Sequence, residues 1–292
     1  MTSAWPEPTA PAAATVVRRL REAGCVFAED EARLLVEACP DPERLESPVT
    51  RRVAGEPLEH LLGWADFAGR RIAVGPGVFV PRRRSELLVR LAVAHLHTSR
   101  LGVTSWGSRP AGAAHDADRP PAVVLDLCCG SGAIGVAIAA ALAGGAAAPE
   151  LHAADVDPTA LEYARRNLAP WGGTVHRGDL FEALPAPLRG RVQVLTANAP
   201  YVPTASIPFM PPEAREHEPL LALDGGSDGL DFHRSIASAA PQWLADGGLL
   251  VIEVSRRQAE TAARLFASHG LAPRIESDED LDAVAVVGTA GR

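Results

Sequence analysis

The chain contains no lysine: all 28 of its basic residues are arginine. That absence excludes lysine chemistry, whether a Schiff base or the lysine of a phosphate-binding loop. With the abundance of Ala, Gly and Pro it carries the mark of codon bias, which says nothing about fold. Cysteine is scarce as well. Cys25, Cys39, Cys128 and Cys129 have no zinc-ligand spacing and are too few to staple 292 residues. A reducing, cytoplasmic setting is the expectation. Long hydrophobic runs are missing. The longest small-apolar stretch, 133–148, is mostly Ala and Gly and too short to span a bilayer; it suits a helix packed closely on a sheet. Residues 1–14 have neither a basic n-region nor a long apolar core, so no signal peptide is read there. Positive charge is also in deficit, 28 basic against 36 acidic residues, net −8. This argues against broad nucleic-acid binding, which needs many phosphate-neutralising cations, without excluding a local basic groove.

What is present is apolar and periodic. Forty-seven per cent of residues are hydrophobic, enough for a large core. Helical spacing predicts helices over 12–23, 29–38 and 42–53, the last broken near Pro48. Seven arginines face eleven acids in residues 1–60, so this helical unit is acidic. Residues 57–80 alternate apolar residues with glycines and predict short strands joined by turns, a hairpin connector. Ser85 is read as the cap of a helix reaching His97. Residues 98–121, poor in apolar content, are read as a mobile surface insertion. Strands then follow at 122–127, 150–155, 173–177, 191–197, 248–254, 272–276 and 282–288. Helices are expected at 132–143, 158–168, 229–243 and 256–269. Such alternation predicts a mostly parallel sheet covered on both faces. The short link at Ser277–Leu281 predicts an antiparallel final strand. The domains expected are a helical unit (1–56), the connector (57–84) and an α/β domain (85–292).

Val123 to Gly135 reads as a strand, a tight glycine turn and a helix start, with Gly130, Gly132 and Gly135 in G-x-G-x-x-G spacing. The pattern alone fits nicotinamide-dependent dehydrogenases and methyltransferases alike. Asp126 at the strand end would repel a pyrophosphate but suits the cationic end of S-adenosylmethionine. Asp155 ends the second strand, where a carboxylate accepts both ribose hydroxyls. Asp179 follows the third strand, placed to meet an adenine amino group, with Leu180 packed on the ring. Three acids at successive strand ends predict a cup for an adenosine with a positive tail; the bland alternative is helix caps and turn residues. Cys128, Cys129 and Ser131 line the cofactor loop in this reading. The competing reading of the cysteines is reactive thiols at a helix N-terminus.

The fourth strand runs into Asn198-Ala-Pro-Tyr201. This turn resembles the Asn-Pro-Pro-Tyr motif of methyltransferases that modify a planar NH2 group. Gly55–Gly63, Phe79–Arg82, Asp126–Ala137, Gly178–Leu184 and Glu218–Asp231 resemble, in order, the protein glutamine-N5 methyltransferases that act on peptide-chain release factors. The resemblance spans about residues 53–255. It implies a Rossmann-like class I fold, with a seven-stranded mostly parallel sheet, an N-terminal helical domain and a β-hairpin connector. It implies S-adenosylmethionine as cofactor, no metal, and a protein glutamine as acceptor. An amide NH2 is a poor nucleophile because its lone pair is delocalised. The side-chain oxygen of Asn198 and the carbonyl of Ala199 would each accept one N–H, aiming that lone pair at the methyl group. Tyr201 would stack on the planar group, so alignment supplies much of the rate. Ala199 departs from the usual proline but keeps the carbonyl, and Pro200 still favours extended backbone before it.

Pro81–Glu86 occupies the family's segment near the cofactor mouth and is read as a pocket rim that holds a substrate or an anionic partner, with Arg82 and Glu86 as substrate-binding residues; Arg82 and Glu86 match the family, and Arg83 and Arg84 depart from it. The competing reading is a solvated first helical turn. Glu253 ends the fifth strand, where the family continues with His-Gly and this chain with Val254-Ser255. His217 is read as a surface residue. The N-terminal helical domain is shorter than the family's, and 98–121 is extra, which unsettles which protein is bound. Three other readings stand beside a protein glutamine: an exocyclic amino group of RNA or DNA, a nicotinamide-dependent oxidoreductase, and a non-catalytic binding module. Contact with nucleic acid is expected only through a translation-linked partner.

Overall fold

The computed structural model describes residues 10–100, 120–144 and 148–291. Helices α1 (Ala10–Glu22), α2 (Ala28–Ala38) and α3 (Pro42–Val53) pack around Val16, Leu20, Ala32, Leu35, Leu45 and Val49. Asp41 starts α3 by accepting a hydrogen bond from the Glu43 amide at 3.0 Å, with Pro42 in the first turn, where no amide is needed. The helix is not broken at Pro48. Leu45 and Val49, buried on either side of the proline, hold both halves in the same core, which outweighs one lost helical bond.

The connector corrects a second expectation. Leu58–Leu62 is a short helix, α4, and not a strand, because Leu58, Leu61 and Leu62 pack back onto the helical unit. A hairpin follows: β1 (Trp64–Phe67) pairs with β2 (Arg70–Ala73), Phe67 opposite Arg70, through a two-residue turn at Ala68-Gly69. Residues 74–82 form no strand. Ser85 does not cap a helix. It lies in a 3-10 turn, Arg83–Ser85, that leads into α5 (Glu86–Arg100), and its hydroxyl is engaged elsewhere. The expected insertion at 98–121 therefore begins inside α5; its residues 101–119, like residues 1–9, lie outside the described residues.

The remaining strands are β3 (Val123–Leu127), β4 (Glu150–Asp155), β5 (Thr174–Arg177), β6 (Val192–Ala197), β7 (Leu244–Glu253), β8 (Leu271–Asp278) and β9 (Ala283–Ala290). They form a seven-stranded sheet in the order β5-β4-β3-β6-β7-β9-β8. All neighbours are parallel except β9, which is antiparallel to both β7 and β8, as the short link predicts. The strands are apolar because both faces are covered. Even-numbered Val124 and Val194 join α5, α6 (Ala133–Leu142) and α7 (Pro158–Leu168) in one core. Odd-numbered Val123, Leu125 and Leu195 join α9 (Asp231–Ala239) and α10 (Ala259–Ser268) in the other. One further short helix, α8 (Pro212–His217), lies in the β6–β7 connection.

The strand order reverses at β3, whose neighbours are β4 and β6. A crevice opens beyond the carboxyl ends of strands at such a switch point. Asn167 on α7 ties three structures together there. Its Oδ1 accepts from the Ala73 amide at 2.9 Å, and its Nδ2 donates to the carbonyls of Ala73 at 2.9 Å and Ser131 at 2.8 Å. One amide thus joins the hairpin to the glycine loop. Asn167→Ala leaves these backbone groups unpaired and should cost about 2 kcal/mol. A lower urea midpoint at unchanged slope checks it.

Candidate active site

The crevice holds a cavity of about 310 Å³. One wall comes from the β3–α6 loop. The Gly132 amide donates to the Cys129 carbonyl at 2.7 Å, and a φ of 79° at Gly132 then turns the chain into α6. Cys128, Cys129, Gly130 and Ser131 line the cavity; Gly132 itself does not. Burial pushes both thiols well above their ordinary range, with Asp155 adding to the effect. They are therefore protonated lining groups, not activated nucleophiles. The Ser131 hydroxyl is buried and has no hydrogen-bond partner among the described residues.

The next wall is acidic. Asp155 accepts from the Gly130 amide through Oδ2 at 2.8 Å and from the Asp157 amide through Oδ1 at 3.0 Å. Burial raises its carboxyl above the usual range. Asp179 and Leu180 complete this side.

Asp126 is not in the wall, which corrects the expected cup of three acids. Its side chain is 0 % exposed and lies behind the loop. Oδ2 accepts from the Gly135 amide at 3.2 Å and Oδ1 from the Thr196 hydroxyl at 2.9 Å. It braces the start of α6 against β6, and burial lifts its carboxyl to about 7.

Opposite the acids stands Asn198–Tyr201, all four residues in the wall. Asn198 donates from Nδ2 to the Ser85 hydroxyl oxygen at 3.0 Å. Ser85 donates to Glu253 Oε2 at 2.6 Å. Glu253 Oε1 accepts from the Tyr201 hydroxyl at 3.1 Å and from Arg84 Nε at 2.8 Å. Burial, reinforced by Glu253, raises the Tyr201 phenol far above its ordinary value, so it stays a donor. Behind the turn, Gln258 Nε2 donates to the Tyr201 carbonyl at 2.9 Å and to that of Asp228 at 3.0 Å. Gly225 packs so closely that a Cβ there would lie 2.7 Å from the Pro200 carbonyl oxygen and 2.8 Å from Tyr201 Cα. The Glu218–Asp231 segment thus backs the turn.

Arg82 lines the cavity and pairs with buried Glu218 at 2.5 Å. Burial raises the Glu218 carboxyl, and its second oxygen has no partner among the described residues. Glu86 is not at the cavity. The 3-10 turn before α5 rotates it towards the hairpin, where it accepts from the Ala68 amide at 3.2 Å. Ser85 and Arg84 stand in the wall instead. Sequence reasoning placed Arg84 beside the site without giving it a role, and missed Ser85, Glu253 and Gln258 as members of it. A signal existed for Glu253, since it ends β7 as Asp155 and Asn198 mark the ends of β4 and β6. His217 is partly exposed and does not line the cavity.

The sheet order with one antiparallel strand, the glycine loop and the acid ending β4 define a class I S-adenosylmethionine-dependent methyltransferase. No protein-family profile matches the chain. It is 38 % identical over 226 residues to the release factor glutamine methyltransferase of Geobacter sulfurreducens, covering 76 % of this chain and 69 % of that one. It is 34 % identical over 257 residues to the enzyme of that name from Mycolicibacterium smegmatis, covering 86 % and 82 %. A 4-amino-L-phenylalanine/4-methylamino-L-phenylalanine methyltransferase of Streptomyces pristinaespiralis is 33 % identical over 263 residues, covering 90 % and 82 %. The chain belongs to the release factor glutamine methyltransferase family.

The buried position of Asp126 has a pH signature. A carboxyl raised by burial binds its proton more tightly in the folded state. The stability it contributes is full below about pH 4 and declines as pH rises through about 7. Asn at 126 keeps an acceptor for Gly135 and a donor for the Thr196 hydroxyl, without the titration. From pH 5 to pH 8, Asp126→Asn should gain on the wild type by about 1 kcal/mol per pH unit at most. Paired thermal melts without added cofactor measure this; a constant gap would mean that Asp126 is ionised throughout.

Proposed function

We propose that the protein transfers a methyl group from S-adenosylmethionine to the side-chain amide nitrogen of a glutamine in a peptide-chain release factor. The observation that carries this reading is a pair of unpaired acceptors on one turn. Asn198 Oδ1 and the Ala199 carbonyl accept no hydrogen bond among the described residues, while Asn198 Nδ2 is anchored on Ser85. Two adjacent acceptors match the two N–H bonds of a carboxamide. Holding both N–H bonds fixes the nitrogen and aims its lone pair, which stands perpendicular to the amide plane, at the methyl group. Tyr201 flanks the same space and provides a face for a planar group.

S-adenosylmethionine, when bound, supplies an electrophilic methyl group on a sulfonium. The residues present fit it. The Asp155 carboxylate would accept from ribose hydroxyls, and Asp179 would meet the adenine amino group against Leu180. The unpartnered Ser131 hydroxyl in the loop wall offers a donor or acceptor that otherwise goes unused. Cys128, Cys129 and Gly130 complete the loop side, and Arg82 forms part of the substrate rim. A cytoplasmic setting belongs to the same reading, supported by four free cysteines. Among the described residues no helix is long and apolar enough to cross a membrane.

The acceptor is tested by offering methyl-labelled S-adenosylmethionine and an intact release factor to the purified enzyme. Mass spectrometry should place the label on one glutamine side chain. Asn198→Ala should slow turnover about 100-fold. Label on 4-amino-L-phenylalanine or on RNA, with none on the release factor, would overturn the proposal.

A further inference from the structure

Asn198 presents a problem that its own shape does not solve. An asparagine amide is nearly the same size either way round, so packing cannot tell its oxygen from its nitrogen. The proposed chemistry, on which this inference rests, needs the oxygen towards the acceptor. We propose that Ser85 and Glu253 are positioning residues whose hydrogen bonds set the Asn198 amide in that one orientation.

Glu253 is 1 % exposed at the end of β7, and donors converge on both of its oxygens. A carboxylate can only accept. The single proton of Ser85 is therefore committed to Glu253 Oε2, 2.6 Å away. The Ser85 oxygen must then accept from Asn198, whose Nδ2 lies 3.0 Å off. The NH2 end of Asn198 is thereby held, and Oδ1 is left for the substrate. Direction passes along the chain from an acceptor-only group through a hydroxyl to an amide. Reversed, Asn198 would set its own NH2 against the NH2 of the acceptor, donor against donor.

The same carboxylate takes the Tyr201 hydroxyl on Oε1, so both ends of the turn are referenced to one buried group. Arg84 balances its charge, with the guanidinium 5.7 Å from the Tyr201 ring centroid. The Glu253 backbone is held in turn by His233 Nε2, 3.0 Å from its carbonyl oxygen. Burial pulls the His233 imidazole down to about 4, which keeps it neutral. Ser85 has no competing structural duty, since it caps no helix.

Glu253→Gln tests the direction rather than the mere presence of the chain. Arg84 and Tyr201 demand an oxygen at the Oε1 place, so the new NH2 group must take the Oε2 place. It would donate to Ser85, turn the serine proton towards Asn198 and favour the wrong amide orientation. Ser85→Ala should lower kcat with the release factor about tenfold, with KM less affected, and Ser85→Thr should restore most of it. Glu253→Gln should lower kcat about 100-fold in the wild type. In the Ser85→Ala background it should add less than about threefold, because no hydroxyl is left to relay the reversal. Equal effects of Glu253→Gln in both backgrounds, or wild-type kcat in Ser85→Ala, would overturn the inference. A second readout needs no acceptor: the Asn198 side-chain amide protons, assigned through Asn198→Asp in nitrogen-15-labelled protein. They should exchange slowly in the wild type and in Ser85→Thr, and fast in Ser85→Ala. If the release factor goes unmethylated but this exchange pattern holds, the acceptor reading fails and the positioning stands. Unchanged exchange in Ser85→Ala defeats the positioning itself.

Discussion

Glu253 is the constraint on which the rest of the site depends. A carboxylate this deeply buried is costly unless donors replace its lost hydration, and here they meet both of its oxygens. Here the donors come from two distant parts of the chain, the 3-10 turn before α5 and the turn after β6. Satisfying one buried charge therefore brings together segments that sequence alone leaves about a hundred residues apart. The hairpin side is drawn in by the same logic. Glu218, also buried, takes Arg82 and the Val80 amide on a single oxygen. Two carboxylates thus fasten residues 80–85 over the carboxyl edge of the sheet.

The acids on the far side behave differently. Asp155 uses backbone amides, not arginines, to hold its two oxygens, and burial still raises its carboxyl. No arginine in the described structure forms a salt bridge with Asp155, Asp126 or Asp179. A site left short of positive charge gains from a cationic ligand, because an opposite charge nearby favours the ionised acid. Arginine is plentiful where a neutral amide would enter and missing on the side where ribose hydroxyls and an adenine amino group would need free acceptors. That asymmetry gives the cavity one end suited to the cofactor and another suited to the acceptor.

Much of this was open to sequence reasoning, and the failures have physical causes. The strands stood out because burial on both faces makes them continuously apolar. The Asn198–Tyr201 turn stood out because few other roles demand those residues after a strand. Asp126 was misplaced for a reason that strand periodicity could have revealed. It shares parity with Val124 in β3, and therefore points at the α6 layer instead of over the strand end. Glu86 was misplaced because a 3-10 turn precedes α5, and its carboxylate turns to the Ala68 amide of the hairpin instead of the cavity. Ser85 looked like a cap because serine before a helix usually is one. Its actual partners, Glu253 and Asn198, lie 168 and 113 residues away, and no local pattern encodes such a pairing. The helix at Leu58–Leu62 likewise depends on a tertiary contact with α1–α3, where glycine-rich surroundings suggested strands.

Ala199 shows how a motif can lose a residue without losing its geometry. A proline there would fix φ by its own ring. In this chain the constraint comes from outside the residue. Pro200 disfavours helical backbone at 199, and the Ala199 side chain is buried in the core beneath β6. Gln258 holds the Tyr201 carbonyl, and Gly225 lets the Glu218–Asp231 segment pack directly on Pro200 and Tyr201. Glu253 holds the Tyr201 hydroxyl, and Ser85 holds the Asn198 amide. With both neighbours anchored, position 199 has little freedom left for a ring to remove. The carbonyl that the proposed chemistry requires belongs to the backbone, so alanine presents it as well as proline does.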